Sequence, residues 1–359
     1  MSAEIRFSPS GLRVPLVQAP MAGGPSTPAL AAAAARAGAL GFLAGGYLSA
    51  EALGRQIAET QELLAGSGAE HALGVNLFIP QPVAEPARLA AYRAELTATE
   101  AEPHGITLPE PDLTDTDLYA EKLELLLDDP VPVVSFTFGL PDAADVARLR
   151  EKGSYTVGTV TNADEARQAL AVGVDAICVQ GPEAGGHRGV FDPAAAPSTA
   201  PLDELFAQVR AVLGAHDTPL IAAGGLATAR DAARLRAAGA ALTQHGTAFL
   251  RADEAGTLPR HRDALVDPQF AETVLTRAFS GRWVRTLRNG FTDRHPDAPA
   301  AYPAINQMTR PLRTAAAGRG DMDSMSMYAG VHHAAAQAAP AAEIIATLER
   351  TMADVAGGD

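Results

Sequence analysis

Eight short apolar runs, separated by alanine-rich stretches with helical periodicity, dominate this chain of 359 residues. They are LVQAPM (16–21), ALGFLA (39–44), ALGVNLF (72–78), PVVSFTFG (132–139), YTVGTV (155–160), AICVQG (176–181), PLIAAGG (219–225) and ALTQHGTAF (241–249). Such alternation predicts repeated βα units and a parallel sheet, and eight strands are the number that closes a barrel. The helix ends agree. Thr27 suits the N-cap of the first helix, Pro28 its first turn and Gly38 a left-handed exit. Asn162 with Glu165 reads as a capping box for a helix that stops at Gly173. A third helix runs from about Thr228 to Gly239. An open doubly wound sheet would want G-x-G-x-x-G after the first strand, and QAPMAGG does not provide it. The expected fold is therefore α/β, a (β/α)₈ TIM barrel with a small, mainly helical lid domain.

Two stretches interrupt the repeat. Residues 79–130, rich in Pro and Glu, form an excursion after the third strand. Residues 251–319 follow the eighth strand and hold the one Trp and the arginine pairs Arg282/Arg285, Arg285/Arg288 and Arg310/Arg313. They read as the lid, leaving 1–250 together with 320–359 as the barrel. Near the end, Ile344, Leu348, Met352 and Val355 share one helical face that can pack back onto it. Acidic residues outnumber basic ones 42 to 28, a formal charge of −14. That field repels nucleic acid and anionic membrane surfaces, so neither is an expected partner. The single cysteine, Cys178, lies in the apolar AICVQ and reads as a buried, inert thiol. Arg6, Pro9, Arg13 and Pro15 break the amino terminus before an apolar signal core could form. A cytoplasmic location is expected.

In a barrel, chemistry gathers where strands end and βα loops begin. The first strand ends in Met21–Ala22–Gly23–Gly24, and Asn76 lies in the third. The sixth runs into QGPEAGGHRG, where Gly185, Gly186 and Gly189 surround His187. Glycines there let backbone approach a flat ligand, and the loop presents the histidine as a candidate base or hydrogen-bond partner. The Arg188 charge beside it would favour neutral imidazole. The seventh and eighth strands end in AAGGLAT and QHGTAF. Gly-rich loops at those two positions are the usual phosphate site of this architecture. No metal-ligand cluster, nucleophile elbow or strand lysine is present in the sequence, and His332–His333 reads as surface.

Together the segments QAPMAGGPST, GVNLF, SFTFG, VQGPEAGGHRG, IAAGGLA and QHGTAF resemble, in order, stretches of the nitronate monooxygenase family, once called 2-nitropropane dioxygenases. The resemblance spans roughly residues 14–330. It implies an FMN-binding barrel that oxidises alkyl nitronates, such as propionate 3-nitronate, with O₂ to carbonyl compounds and nitrite. By the resemblance His187 is the catalytic residue. Met21, Ala22, Asn76, Gln180, Gly185, Gly186, Gly224, Gly225, Gln244, His245, Gly246 and Thr247 surround FMN, and Tyr302 lines the substrate pocket. His245 and Pro182 depart from the usual pattern, and His245 raises the question of extra charge at the phosphate. Self-association into a homo-oligomer is left open. The alternatives are an FMN-dependent NAD(P)H reductase on the same scaffold, acting on an enoyl-acyl carrier protein or a quinone, and a non-catalytic protein that binds flavin or another phosphate-bearing ligand. Those reductases tend to carry Glu where this chain has Gln180.

Overall fold

Strands that are apolar on both faces can satisfy their backbone only beside one another, under a layer of helices. The computed structural model describes residues 7–82, 85–226 and 228–356. In it the eight runs become β1 (Leu16–Gln18), β2 (Leu40–Ala44), β3 (Leu73–Phe78), β4 (Val133–Thr137), β5 (Tyr155–Val160), β6 (Ala176–Gln180), β7 (Leu220–Ala223) and β8 (Leu242–His245). They pair in chain order as one closed parallel barrel. Closure is made by β8 on β1, with Val17 opposite Gln244 and Gln18 opposite His245. Every residue of β3 is buried, as a strand enclosed on both faces requires.

The strands stop short of the apolar runs, and each early stop has a cause. Beyond β1, Pro20 has no N–H to give the ladder. Beyond β4 the backbone turns into the left-handed region at Phe138 (φ +79°). Beyond β7, Gly224 and Gly225 take φ +100° and +68°. Beyond β8, Thr247–Phe249 winds into a single 3₁₀ turn. The residues lost from the strands become the loops at the barrel mouth.

The helices are α1 (Pro28–Arg36), α2 (Ala50–Leu64), α3 (Pro86–Leu96), α4 (Tyr119–Asp128), α5 (Ala143–Glu151) and α6 (Ala163–Val172). They continue with α7 (Leu202–Leu213), α8 (Ala229–Ala237), α9 (Pro259–Ala264), α10 (Gly290–Arg294), α11 (Ala304–Arg319) and α12 (Ala341–Ala356). Thr27 caps α1 by accepting from Leu30 N at 3.0 Å. Asn162 caps α6 in the same way, from Glu165 N at 2.9 Å. The expected capping box is only half made there. The Glu165 carboxylate turns to Thr161 N (2.6 Å) and Phe191 N (3.0 Å), tying the end of β5 to the loop that follows His187. A full box forms instead at α8, between Thr228 and Asp231.

The excursion and the segment after β8 pack as one body above the barrel. Leu89, Tyr92 and Leu96 of α3 share a core with Phe279, Phe291, Ile305 and Met308. Polar contacts stitch the same seam: His295 Nδ1 meets Glu95 at 2.7 Å and its Nε2 meets Glu100 at 3.0 Å. Besides α9–α11 this body contains a hairpin, β9 (Thr273–Thr276) with β10 (Val284–Leu287), which hydrophobic periodicity had not disclosed. At the other side Ile344, Ile345 and Leu348 of α12 pack on Leu16, Leu30 and Phe249. The side chains of Met352 and Val355 lie outside the described residues.

Close approach of α1 to β2 depends on Gly41, where a Cβ would come within 2.1 Å of the Ala31 carbonyl oxygen. Neither backbone can yield without moving a layer, so Gly41→Ala is expected to cost about 2 kcal/mol or more. Urea unfolding measures this, and an unchanged midpoint would refute the close approach.

Candidate active site

Strand ends on one side and the α3–α11 body on the other enclose a cavity of about 730 Å³. All twelve residues expected around a cofactor line this cavity, and so does His187. Tyr302 does not. It is buried, and its ring lies 6.0 Å from that of His187 and 5.5 Å from Phe138, so it backs the wall instead of forming it.

His187 reaches the cavity by a specific backbone arrangement. Gly186–His187 forms a two-residue strand against β10, with His187 opposite Val284, so the histidine belongs to a sheet shared with the segment after β8 and not to a free loop. Gln180 locks the same stretch, donating to His187 O at 2.9 Å and accepting from Gly189 N at 2.8 Å. The His187 ring is flanked edge-on by Phe138 and Tyr328, with centroids at 5.7 and 5.4 Å. Its Nε2 lies 2.8 Å from Ser280 Oγ. That hydroxyl also lies 3.3 Å from Arg282 O, to which it can donate. Ser280 therefore accepts from Nε2–H, and Nδ1 is left as the acceptor.

The imidazole is neutral. Burial holds its pKa down to about 3, with further depression from the charges of Arg282 and Arg313. The sequence had assigned that effect to Arg188, and the structure corrects it. Arg188 is fully buried and spends its guanidinium on the carbonyls of Gly181 and Gln180 (3.1 Å for the latter), fastening the loop from beneath. Arg282 is also fully buried. It lies 4.0 Å over the Phe138 ring and donates to Gln81 and to Val190 O.

The two glycine loops expected to hold a phosphate stand side by side. His245 joins them: its Nδ1 lies 3.2 Å from Leu226 O and its Nε2 3.1 Å from Thr243 Oγ1. Since a carbonyl only accepts, Nδ1 carries the proton. Burial lowers the His245 pKa to about 4, so this residue adds no charge where an anion would sit. Thr247 Oγ1 accepts from Gly330 N at 2.9 Å, drawing the segment before α12 into the same corner. Gly185 makes that approach possible, because a Cβ there would come within 2.4 Å of Gly330 N. The contact also sets Tyr328 beside His187.

Several lining residues escaped the sequence reading: Tyr47, Phe78, Phe138, His261, Arg313 and Tyr328. Phe78 and Phe138 lie at strand ends in the segments GVNLF and SFTFG, and Arg313 in the Arg310/Arg313 spacing; Tyr47, His261 and Tyr328 had no signal. Tyr47 takes φ +68°, held by its N–H to Asp117 at 2.8 Å, and Asp117 is in turn paired with the buried Lys122 at 2.7 Å. His332 is exposed as expected. His333 is not: a 3₁₀ turn carries it inward, where Nδ1 donates to Leu265 O at 2.7 Å. Cys178 forms part of the cavity wall, and burial pushes its thiol up to about 12, which leaves it unreactive.

A family model described as nitronate monooxygenase matches residues 10–350. The chain is 38% identical over 352 residues to the nitronate monooxygenase of Paraburkholderia phytofirmans, covering 95% of this chain and 93% of that one. It is 37% identical over 349 residues to the nitronate monooxygenase of Pseudomonas aeruginosa, covering 94% and 96%. Among solved structures, nitroalkane oxidase from Streptomyces ansochromogenes superposes with a TM-score of 0.90 at 44% identity, covering 97% and 98%. FabK from Thermotoga maritima gives 0.68 at 23% identity over 96% and 94%, a likeness of fold alone.

Three buried imidazoles, His187, His245 and His261, have pKa values lowered by burial, to about 3, 4 and 4. The unfolded chain, titrating near the ordinary 6.5, binds more protons than the folded one below that pH. Stability from these groups is thus full above about pH 6.5 and is lost as pH falls towards 4. Each histidine gives up as much as about 1.4 kcal/mol for every tenfold rise in proton concentration across that window. Thermal melts should show Tm falling from pH 7.5 to 4.5, and falling less in His245→Gln. Parallel curves for the two proteins would exclude a contribution from His245.

Proposed function

The chain belongs to the nitronate monooxygenase family of flavin-dependent oxidoreductases, and from that premise we propose that it oxidises alkyl nitronates with O₂, using FMN. In the net reaction one O₂ serves two nitronates: one oxygen atom joins the carbon that bore nitrogen in each, the two C–N bonds break, and both nitrogens leave as nitrite. The observation that carries the reading is His187, an unprotonated imidazole at the mouth of the barrel, shielded by Phe138 and Tyr328 beneath the charge of Arg313.

The residues present fit FMN. Gly23 and Gly186 line the cavity with no protein atom within 4 Å of where a Cβ would stand, giving bare backbone to a flat ring. Gly224, Gly225 and Gly246–Thr247 would hold the phosphate, and the neutral His245 leaves its charge unopposed. Met21, Ala22, Asn76 and Gln180 would lie along the ring system. When bound, FMN supplies one-electron chemistry between nitronate and O₂.

What the chain contributes is binding, orientation and control of the proton. Phe78, Phe138 and Tyr328 exclude water and keep the local dielectric low. His187 Nδ1, fixed by the Ser280 contact through Nε2, accepts a hydrogen bond or the α-proton of a nitro compound. A base with a pKa near 3 is weak, so a preformed nitronate is the better substrate than its neutral nitroalkane. The body that includes 251–319 is proposed as the substrate cover, and 1–250 with 320–359 as the FMN-binding barrel. Among the described residues no helix is long and apolar enough to cross a membrane. On its single buried thiol we place the enzyme in the cytoplasm, acting on small molecules.

The purified protein, given propionate 3-nitronate in air without NADH, is expected to release nitrite. His187→Asn should keep its flavin while nitrite release falls by about a hundredfold. Near-normal release from that variant removes His187 from the mechanism, and NADH oxidation without nitrite from the wild type overturns the function. Because the imidazole is unprotonated throughout, kcat/KM should be flat from about pH 5 to 9. An inflection near 6.5 that disappears in His187→Asn would contradict the assigned protonation state.

A further inference from the structure

Among the described residues three buried hydrogen-bond donors line the cavity without an acceptor, Thr257 Oγ1, Arg313 Nε and Tyr328 Oη, and the last two belong to residues grouped around His187. Arg313 Nε is buried with no acceptor, and the buried Tyr328 hydroxyl has at most the Ser326 hydroxyl as a donor to it, so its own O–H is unspent. Arg313 gives one nitrogen, Nη2, to Asn306, at 3.0 Å to its carbonyl and 2.8 Å to its side-chain oxygen. Among the described residues no carboxylate lies within ion-pair distance of it. Buried donors without acceptors are costly, and a fold keeps them where a ligand completes them.

We propose that Arg313 and Tyr328 form an anion seat that grips the two nitronate oxygens beside His187, and that this seat selects the nitronate anion over the neutral nitroalkane. The proposal rests on the nitronate reading above.

The placement supports it from three sides. Asn306, Arg310 and Arg313 fall on one face of α11, and all three line the cavity, with Arg310 exposed and Arg313 partly buried. Tyr328 arrives from the segment packed on Gly185, its ring 5.4 Å from that of His187. The Arg313 charge acts on His187, Tyr47 and Tyr328 alike, which puts the guanidinium among them. Burial raises the Tyr328 pKa, so the phenol remains a donor at neutral pH. Its nearby Ser326 hydroxyl can reorient towards it without supplying charge.

Arg282 cannot do this work, since its nitrogens are taken by Gln81, Val190 and Arg188 and its face by Phe138. His187 is neutral and Lys122 is paired with Asp117. Arg188, Arg251 and Arg277 also have an unpartnered Nε, but of these four arginines Arg313 alone lines the cavity. A nitronate oxygen carries formal negative charge and takes a charge-assisted hydrogen bond, whereas the nitro group of a neutral nitroalkane is a poor acceptor. With a net charge of −14 on the chain, a local guanidinium is also what lets an anion enter.

The test uses flavin-loaded enzyme and inorganic nitrate, a planar single anion with the same N–O arrangement, followed by perturbation of the flavin spectrum. Arg313→Met is expected to weaken nitrate binding by about tenfold or more, and Tyr328→Phe by about threefold to tenfold. KM for the nitronate should rise in step, while kcat changes less than about threefold and KM for the neutral nitroalkane stays put. Arg313→Lys, which keeps the charge without Nε, should recover part of the loss. Unchanged nitrate affinity in both variants overturns the proposal, as does an equal rise in KM for the neutral compound. Loss of flavin from Arg313→Met assigns the guanidinium to the cofactor and also overturns it. If the wild type releases no nitrite yet binds nitrate through Arg313, the seat stands as an anion site and the nitronate reading falls alone.

Discussion

The pairing of Gly186–His187 with β10 is the interaction on which the rest of the site depends. It converts a glycine-rich loop, which would otherwise sample many conformations, into one strand of a sheet shared with the segment after β8. Everything nearby acts on that strand. Gln180 clamps it from the barrel side, Arg188 fastens the residues before it, and Arg282 reaches across from the segment after β8 to the carbonyls that follow. Two buried guanidiniums without carboxylate partners would normally be expensive. Here each satisfies backbone oxygens of a loop that has few other acceptors for its turns, so their charge is spent on positioning one imidazole.

The electrostatics of the cavity run against those of the chain. In a protein with an excess of acid the pocket is lined by Arg310, Arg313, two phenols and the buried imidazoles of His187, His245 and His261, with Glu183 its one lining carboxylate among the described residues. Burial suppresses protonation of His187 and His245, while Arg282 and Arg313 keep the local potential positive. The result suits an anionic substrate next to a neutral imidazole whose Nδ1 holds no proton. His245 serves as a hydrogen-bonded brace between the two glycine loops and, being neutral, would add no charge to the phosphate proposed there.

Much of this was legible in the sequence because it is periodic or local. Apolar runs two layers deep, glycine exits at fixed offsets and caps such as Thr27 need no distant partner to be read. The strand-end glycines and His187 were legible for the same reason, since barrel geometry puts every such end on one face. The Arg188 assignment failed because adjacency in sequence says little about direction. On a strand, neighbouring side chains point to opposite faces, and Arg188 points beneath the loop. His333 turned inward through a 3₁₀ turn that an alanine-rich tail does not announce.

Tyr47, Phe138, Arg282, Arg313 and Tyr328 belong to the other class. Phe138 lies in a strand-end segment and Arg282 and Arg313 in spaced arginine pairs, but the meaning of all five comes from segments far apart in the chain meeting over the barrel mouth. By itself the sequence determined the eight-stranded barrel, the glycine loops at its mouth and the histidine they present, because hydrophobic period and backbone permissiveness are local properties. Only the tertiary structure decided which charges surround that histidine, which of its nitrogens is free and which donors await a ligand. Those depend on burial and on contacts between segments far apart in the chain, and neither can be read from neighbours along it.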